Sequence, residues 1–244
     1  MPATLLQIVY DACGEIGLVQ PSVVAASSDS NIVRLLTMLN REGRELARSN
    51  DWTVLIRTHS FSTVADQSEY ALPSDYDHLI RDTEWDRTNF QPMQGPLTPQ
   101  DWEAIQSGSI GNAGPYRRYR LVRSASAASK KIVVDPAPPD TGDELAFQYV
   151  SGAWCTAANG TTLQTAMAVD TDLALLHQDL LTLGTIIRFK RSVGLDYGSE
   201  ADEYASMLGR EIARDRPSRT LDMAGQGSFR LISSANMPIG TIGS

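Results

Sequence analysis

Leu5, Ile8, Val9, Ala12, Cys13 and Ile16 recur at three- and four-residue spacing near the start of the chain. That period lines one face of a helix and predicts one over 2–17, with Gly17 as its stop. The period returns after Pro21, where Ser27-Ser28-Asp29-Ser30 offers N-cap oxygens to a second helix. Its stripe is Ile32, Leu35, Leu36, Leu39, Leu46 and Ala47. Arg34, Arg41, Glu42, Arg44, Glu45 and Arg48 are read as the outside of that helix, a solvated and ion-paired face. At Trp52 the period drops to two. Trp52, Val54 and Ile56 alternate with Thr53, Leu55 and Arg57, and the run continues to Phe61, which predicts a strand. The extended piece 69–73 reads as its hairpin partner, closed at Pro73-Ser74-Asp75-Tyr76.

A further strand is expected within 78–87. Thr98 as N-cap and Pro99 at the first helical position open a short helix that turns Trp102 and Ile105 inward. Beyond a glycine-rich loop at 108–114, strand candidates follow at 116–122, 131–134 and 144–150, separated by small-residue and proline turns. Residues 151–169 are small and polar and read as a loop. Asp170-Thr171-Asp172 then caps an apolar helix bearing Leu173, Leu176, Leu180, Leu183 and Ile187. Leu175, Leu181 and Ile186 extend its apolar surface around the circumference, so it must be covered on more than one side. These three are the candidates for packing between subunits. Gly194 ends that helix, and a last one starts at Ser199 and turns Tyr204, Leu208 and Ile212 inward until Pro217. From 217 to 244 no period is sustained beyond one short strand candidate at 229–232, and the segment is expected to be unfolded when alone.

The fold class read from this pattern is α+β. Helices from both ends, 1–51 and 170–216, form a bundle of about four; 52–169 is a β-rich insertion; and 217–244 is an extended C-terminal tail.

Composition changes this picture little. With 42% hydrophobic and 20% charged residues among 244, the chain can bury one sizeable core or two small ones. Its formal net charge of -8 repels nucleic acid and acidic membranes as a whole, so any DNA contact must be local. The start of the chain lacks the pattern of a signal peptide and no segment reaches the ~20 apolar residues that span a bilayer. Neither export nor a membrane anchor is expected.

Candidate chemistry is sparse. Cys13 and Cys155 have no bridge or zinc spacing and read as free thiols. His59, His78 and His177 have no second ligand at metal spacing. The glycines at 108, 111 and 114 lack the lysine and context of a phosphate loop. Asp75 with Asp77, or Asp82 with Glu84, could supply a glycosidase's acid and base, which spacing alone leaves open. No catalytic residue, metal or cofactor is read. One feature departs from the acidic average: Arg117, Arg118, Arg120, Arg123, Lys130 and Lys131 lie in a stretch without a carboxylate, and could face phosphate or an acidic partner or simply form a solvated hairpin. Trp85, Trp102 and Trp154 could stack on sugar or anchor a core.

Several segments share an order with a known family. They are Trp52 at the end of the second helix, Phe61, Tyr70-Ala71-Leu72-Pro73-Ser74-Asp75, Trp85 and Trp102. Next come 132–138 (Ile-Val-Val-Asp-Pro-Ala-Pro), 142–151 (Gly-Asp-Glu-Leu-Ala-Phe-Gln-Tyr-Val-Ser) and Trp154. Last is 188–197 (Arg-Phe-Lys-Arg-Ser-Val-Gly-Leu-Asp-Tyr) between the final helices. In this order, over about 1–215, the chain resembles the head-to-tail adaptor proteins of tailed bacteriophages.

The resemblance implies a non-enzymatic virion protein at the head-tail junction, assembled in the host cytoplasm. It implies a ring of twelve copies that extends the DNA channel, passing double-stranded DNA without sequence-specific binding. The ring would dock on the portal protein and carry tail or nozzle proteins. The C-terminal segment of such proteins reaches toward the portal, which makes Arg216, Arg219, Phe229, Arg230, Leu231 and Ile232 the portal-contact candidates. Another virion ring or tail-tube protein, or a cell-wall carbohydrate-binding module or hydrolase, stays open as an alternative.

Overall fold

A computed structural model describes residues 2–108, 116–123 and 130–215. Two helices open the chain: α1 (Leu5–Ile16) and α2 (Ser30–Ser49). Their starts are fixed by side-chain caps, with Thr4 accepting from the Gln7 amide at 3.2 Å and Asp29 from the Asn31 amide at 2.8 Å. A turn of 3-10 helix at Thr53–Leu55 stands where alternation predicted strand. Trp52 is tucked back there, its indole N–H donating to the Leu46 carbonyl at 2.8 Å.

The middle of the chain holds β1 (Ile56–Ser62), β2 (Glu69–Ala71), β3 (Tyr76–Leu79), β4 (Trp85–Asp86) and β5 (Gln91–Pro92), then α3 (Pro99–Gln106). It continues with β6 (Arg118–Arg123), β7 (Lys130–Asp135) and β8 (Glu144–Ser151). The expected hairpin of 56–62 with 69–73 does not form. β1 instead pairs antiparallel with β8, Ile56 opposite Val150 and Ser62 opposite Glu144, while β2 pairs with β7. Buried Thr63 explains the parting. Its amide donates to the Asp143 carbonyl at 2.8 Å and its hydroxyl to the Asp140 carbonyl at 3.2 Å. The chain leaving β1 is thus tied to the entry of β8, not to the residues just ahead of it.

β8 is the central strand of its sheet, with β1 on one side and β3 and β4 on the other. Its alternation serves two cores. Leu145, Phe147 and Tyr149 join a cluster with Tyr70, Tyr119, Ile132 and Val134 from the β2–β7–β6 sheet, whereas Val150 joins the cluster of the helices.

After β8 the structure departs most from the pattern. Residues 151–169, expected as a loop, contain β9 (Cys155–Thr156) and β10 (Leu163–Gln164), and both pair around an Asn159-Gly160 turn. β11 (Leu173–Ala174) flanks β9 on its other side and is bridged to the N-terminal Thr4. The expected helix from 173 therefore begins five residues late, as α4 (Gln178–Val193). The two aspartates proposed to cap it serve loops: Asp172 accepts from the Ala168 and Val169 amides, and Asp170 from those of Val24 and Ala25. A short apolar run is ambiguous between strand and helix, and here an unpaired edge of β9 settled it.

α5 (Gly198–Asp215) completes the described chain. α4 is in contact with α1, α2 and α5, and Gly194 in a left-handed conformation turns the chain from α4 to α5. The molecule is thus mixed α/β, with five α-helices and several antiparallel sheets among the described residues. The tail 217–244 lies outside them.

Candidate assembly surfaces

The strongest constellation is where α2, α4 and α5 meet. Glu42 was expected on the outside of α2, yet it is 4% exposed. Its spacing from Leu35, Leu39 and Leu46 keeps it on the buried stripe, which is the sequence signal that could have placed it. Its Oε2 accepts from Arg188 Nε at 2.6 Å and its Oε1 from the Tyr204 hydroxyl at 2.6 Å. A second Arg188 nitrogen donates to Glu45 at 2.6 Å, and Arg41 pairs with Glu45 at 3.1 Å. Gly184 makes room for this: a Cβ there would stand 2.4 Å from the Glu42 carboxyl carbon.

Burial, then the hydrogen bond to Glu42, pushes the Tyr204 phenol up, and the bonds from Arg188 and Arg41 hold the Glu45 carboxyl below its ordinary value. Both Glu42 oxygens are occupied, so the group is a strut between three helices and not an available base. A groove of about 810 Å³ runs beside it, lined among others by Met38, Ile187, Arg191 and Ser192.

The three subunit-packing candidates belong to the helical part of the chain, Leu175 just ahead of α4 and Leu181 and Ile186 within it. Leu181 and Ile186 are buried within the chain itself, and Leu175 is half-buried against the same core. The apolar circumference of α4 is covered by α1, α2 and α5 of its own chain.

The basic run is largely paired from within. Arg117 bonds Asp86 at 2.9 Å and also Asp143, and Arg118 approaches Asp135 at 3.9 Å. The Arg120 guanidinium lies over the Trp102 ring, Lys130 donates to the Tyr76 and Asp77 carbonyls, and Lys131 pairs with Glu69 at 2.8 Å. Arg123 is exposed. This is a cross-strand lattice more than a phosphate-facing surface. The portal-contact candidates Arg216, Arg219, Phe229, Arg230, Leu231 and Ile232 lie outside the described residues.

Several features weighed for chemistry have structural partners, whereas Glu84 of the Asp82/Glu84 pair is buried with one carboxylate oxygen left without a hydrogen bond. The Asp75 carboxylate accepts from the Tyr149 hydroxyl at 3.0 Å and from the buried Ser151 hydroxyl at 2.6 Å. Asp77 holds His78, which also reaches Asp51, each at 2.9 Å. Burial pushes the Cys155 thiol up to about 12 and raises that of Cys13, leaving both as poor nucleophiles. Among the described residues no group of three His, Cys, Asp or Glu side chains could hold a metal ion, and no helix is long and apolar enough to cross a membrane. Trp154 is fully buried against Gly43, its indole N–H donating to the Thr165 carbonyl at 2.9 Å. It offers no face to a sugar.

The geometry thus holds helices and sheets together with polar struts such as Glu42–Arg188 and Asp86–Arg117. No curated protein matches the chain. A family model described as SU10 adaptor protein matches residues 4–227, nearly the whole chain. The chain belongs to the SU10 adaptor protein family, a family of phage head-to-tail adaptors.

Proposed function

We propose that this adaptor acts as a ring of twelve copies at the neck of the virion. The ring docks on the portal protein, extends the DNA channel and offers tail or nozzle proteins their attachment surface. Its work is done by shape and assembly, without catalysis. The observation that carries this reading is the family match over residues 4–227, which covers helices and sheets alike. The saturation of Glu42, Asp75 and Asp86 by partners of the same chain supports a non-catalytic role. In this reading 1–51 and 170–216 form a four-helix domain that packs side by side in the ring, and 52–169 is the β-rich insertion. The tail 217–244 reaches the portal through Arg216, Arg219, Arg230 and the apolar run Phe229, Leu231, Ile232. Double-stranded DNA passes without sequence-specific contact, and the particle is assembled in the host cytoplasm.

Native mass spectrometry and negative-stain microscopy of the full chain, alone and mixed with the portal protein of the same phage, test it. Rings of the portal's symmetry are expected. A chain that stays monomeric in both and ignores the portal sinks the proposal. The competing carbohydrate reading predicts sugar binding lost in Trp85→Ala, which the same preparation can measure.

A further inference from the structure

α2 carries an arginine stripe that its own chain uses only in part. Arg34, Thr37, Arg41, Arg44 and Arg48 follow one another at three- and four-residue steps, so they share one helix face. That face is opposite the one buried through Leu35, Leu39 and Leu46, and all four arginines are exposed. Arg41 reaches Glu45 at 3.1 Å and Arg48 stands 3.9 Å from Asp77. Among the described residues, Arg34 and Arg44 reach no carboxylate.

A second surface has the opposite character. Glu15 on α1 feels Glu203, Asp11, Asp179 and Glu200, contributed by α1, the first turn of α4 and α5. Burial, followed by these neighbouring charges, raises its carboxyl. Lys190 answers Glu200 and Gln178 donates to Asp11, whereas Glu15, Asp179 and Glu203 are exposed. A chain of net charge -8 therefore separates a basic helix face from an acidic one built on other helices.

We infer that the α2 arginine stripe of one copy docks on the α1/α4/α5 acidic surface of the next. The inference rests on the ring reading and names its contact. A closed ring of identical subunits needs two different, mutually complementary faces on each copy, and like-charged chains crowd together more readily when their attractive faces meet. Double-stranded DNA is the other occupant that an arginine stripe suits, but only a second copy also accounts for the exposed acidic cluster.

The test reverses charge on residues that are exposed and outside the Glu42 strut. Arg34→Glu with Arg44→Glu makes one variant, Glu15→Lys with Glu203→Lys a second, and all four substitutions in one chain a third. Circular dichroism confirms that each folds. Assembly of the full chain is read by mass photometry and negative stain, alone and on portal rings, at low and at high salt. Each two-residue variant is expected to need at least about ten-fold more protein to assemble. The four-residue swap, and an equimolar mixture of the two single-face variants, should recover assembly. Salt should weaken the wild-type ring, because exposed pairs are screened over about 8 Å at physiological ionic strength.

Rings that form equally well in every variant overturn the inference and leave the adaptor reading standing. So does a two-residue arginine variant whose rings assemble normally but no longer retain double-stranded DNA, which would place the stripe on the channel wall. A wild-type chain that neither assembles nor binds portal removes both readings at once.

Discussion

Glu42 shows how one residue governs the helical half of the molecule. A carboxylate buried to this degree is tolerable only while Arg188 and Tyr204 satisfy it, so removing the cation should cost more than the pair contributes. Arg188→Met is expected to lower unfolding stability by about 3–5 kcal/mol in urea titration; a loss below about 1 kcal/mol would show that the carboxylate is already hydrated. Gly43 makes a parallel point by packing. A Cβ there would lie 2.3 Å from the Trp154 ring, so Gly43→Ala should cost about 1–3 kcal/mol by overpacking and shift the tryptophan emission.

His78 provides the pH-sensitive contact. Burial alone would lower its pKa, but the hydrogen bonds it donates to Asp77 and Asp51, and the charges of those carboxylates, leave it raised above 6.5. A group whose folded pKa is raised stabilises fully below the unfolded value and loses that contribution as pH climbs through the folded one. The stability gap between wild type and His78→Asn, followed by thermal melts, should therefore be widest near pH 5.5 and close as pH rises above neutrality. A gap that widens with pH would reverse the assignment.

Among the elements, α4 and α5 differ in how they are held. α4 buries eight of its residues and α5 none; α5 is fastened by partly buried Tyr204, Met207, Leu208 and Ile212 and by the bond from the Thr53 hydroxyl to Asp215 at 2.7 Å. Local stability follows burial, so α5 amides should exchange with deuterium faster than those of α4. Leu181→Ala should cost about 2–5 kcal/mol and Leu208→Ala about 1 kcal/mol. Equal exchange in the two helices would contradict this. The starts of α2 and α3 were legible because Asp29 and Thr98 act within a turn of themselves, and α1 was legible from its apolar period and the Gly17 stop. The start of α4 was not, because Leu173 and Ala174 answer to Thr156 and Cys155 across a sheet.

Across the whole molecule, β8 joins the two cores, and this bears on assembly. Val150 and Trp154 pack with the helices while Phe147 and Tyr149 pack between the sheets, so the helical and β regions share a strand instead of hanging on a linker. Removal of residues 217–244 should leave both cores folded and the melting temperature within a few degrees, about what a change below 1 kcal/mol produces. It should also reduce portal binding in co-sedimentation. Unchanged portal affinity would move the contact to another surface.

Local order determined much of this. Helix periodicity, caps and the order of tryptophans, prolines and aromatic strands were enough to indicate helices around a β region and the adaptor family, because each depends on residues a few positions apart or on their succession. Tertiary structure alone decided which groups satisfy the inward-turned Glu42, that basic residues of 117–131 meet carboxylates, backbone carbonyls and a ring, and that β1 pairs with β8. Those outcomes depend on partners as distant as Glu42 and Arg188 or Thr63 and Asp143, and a one-dimensional period carries no information about which distant group arrives to satisfy a charge or a strand edge.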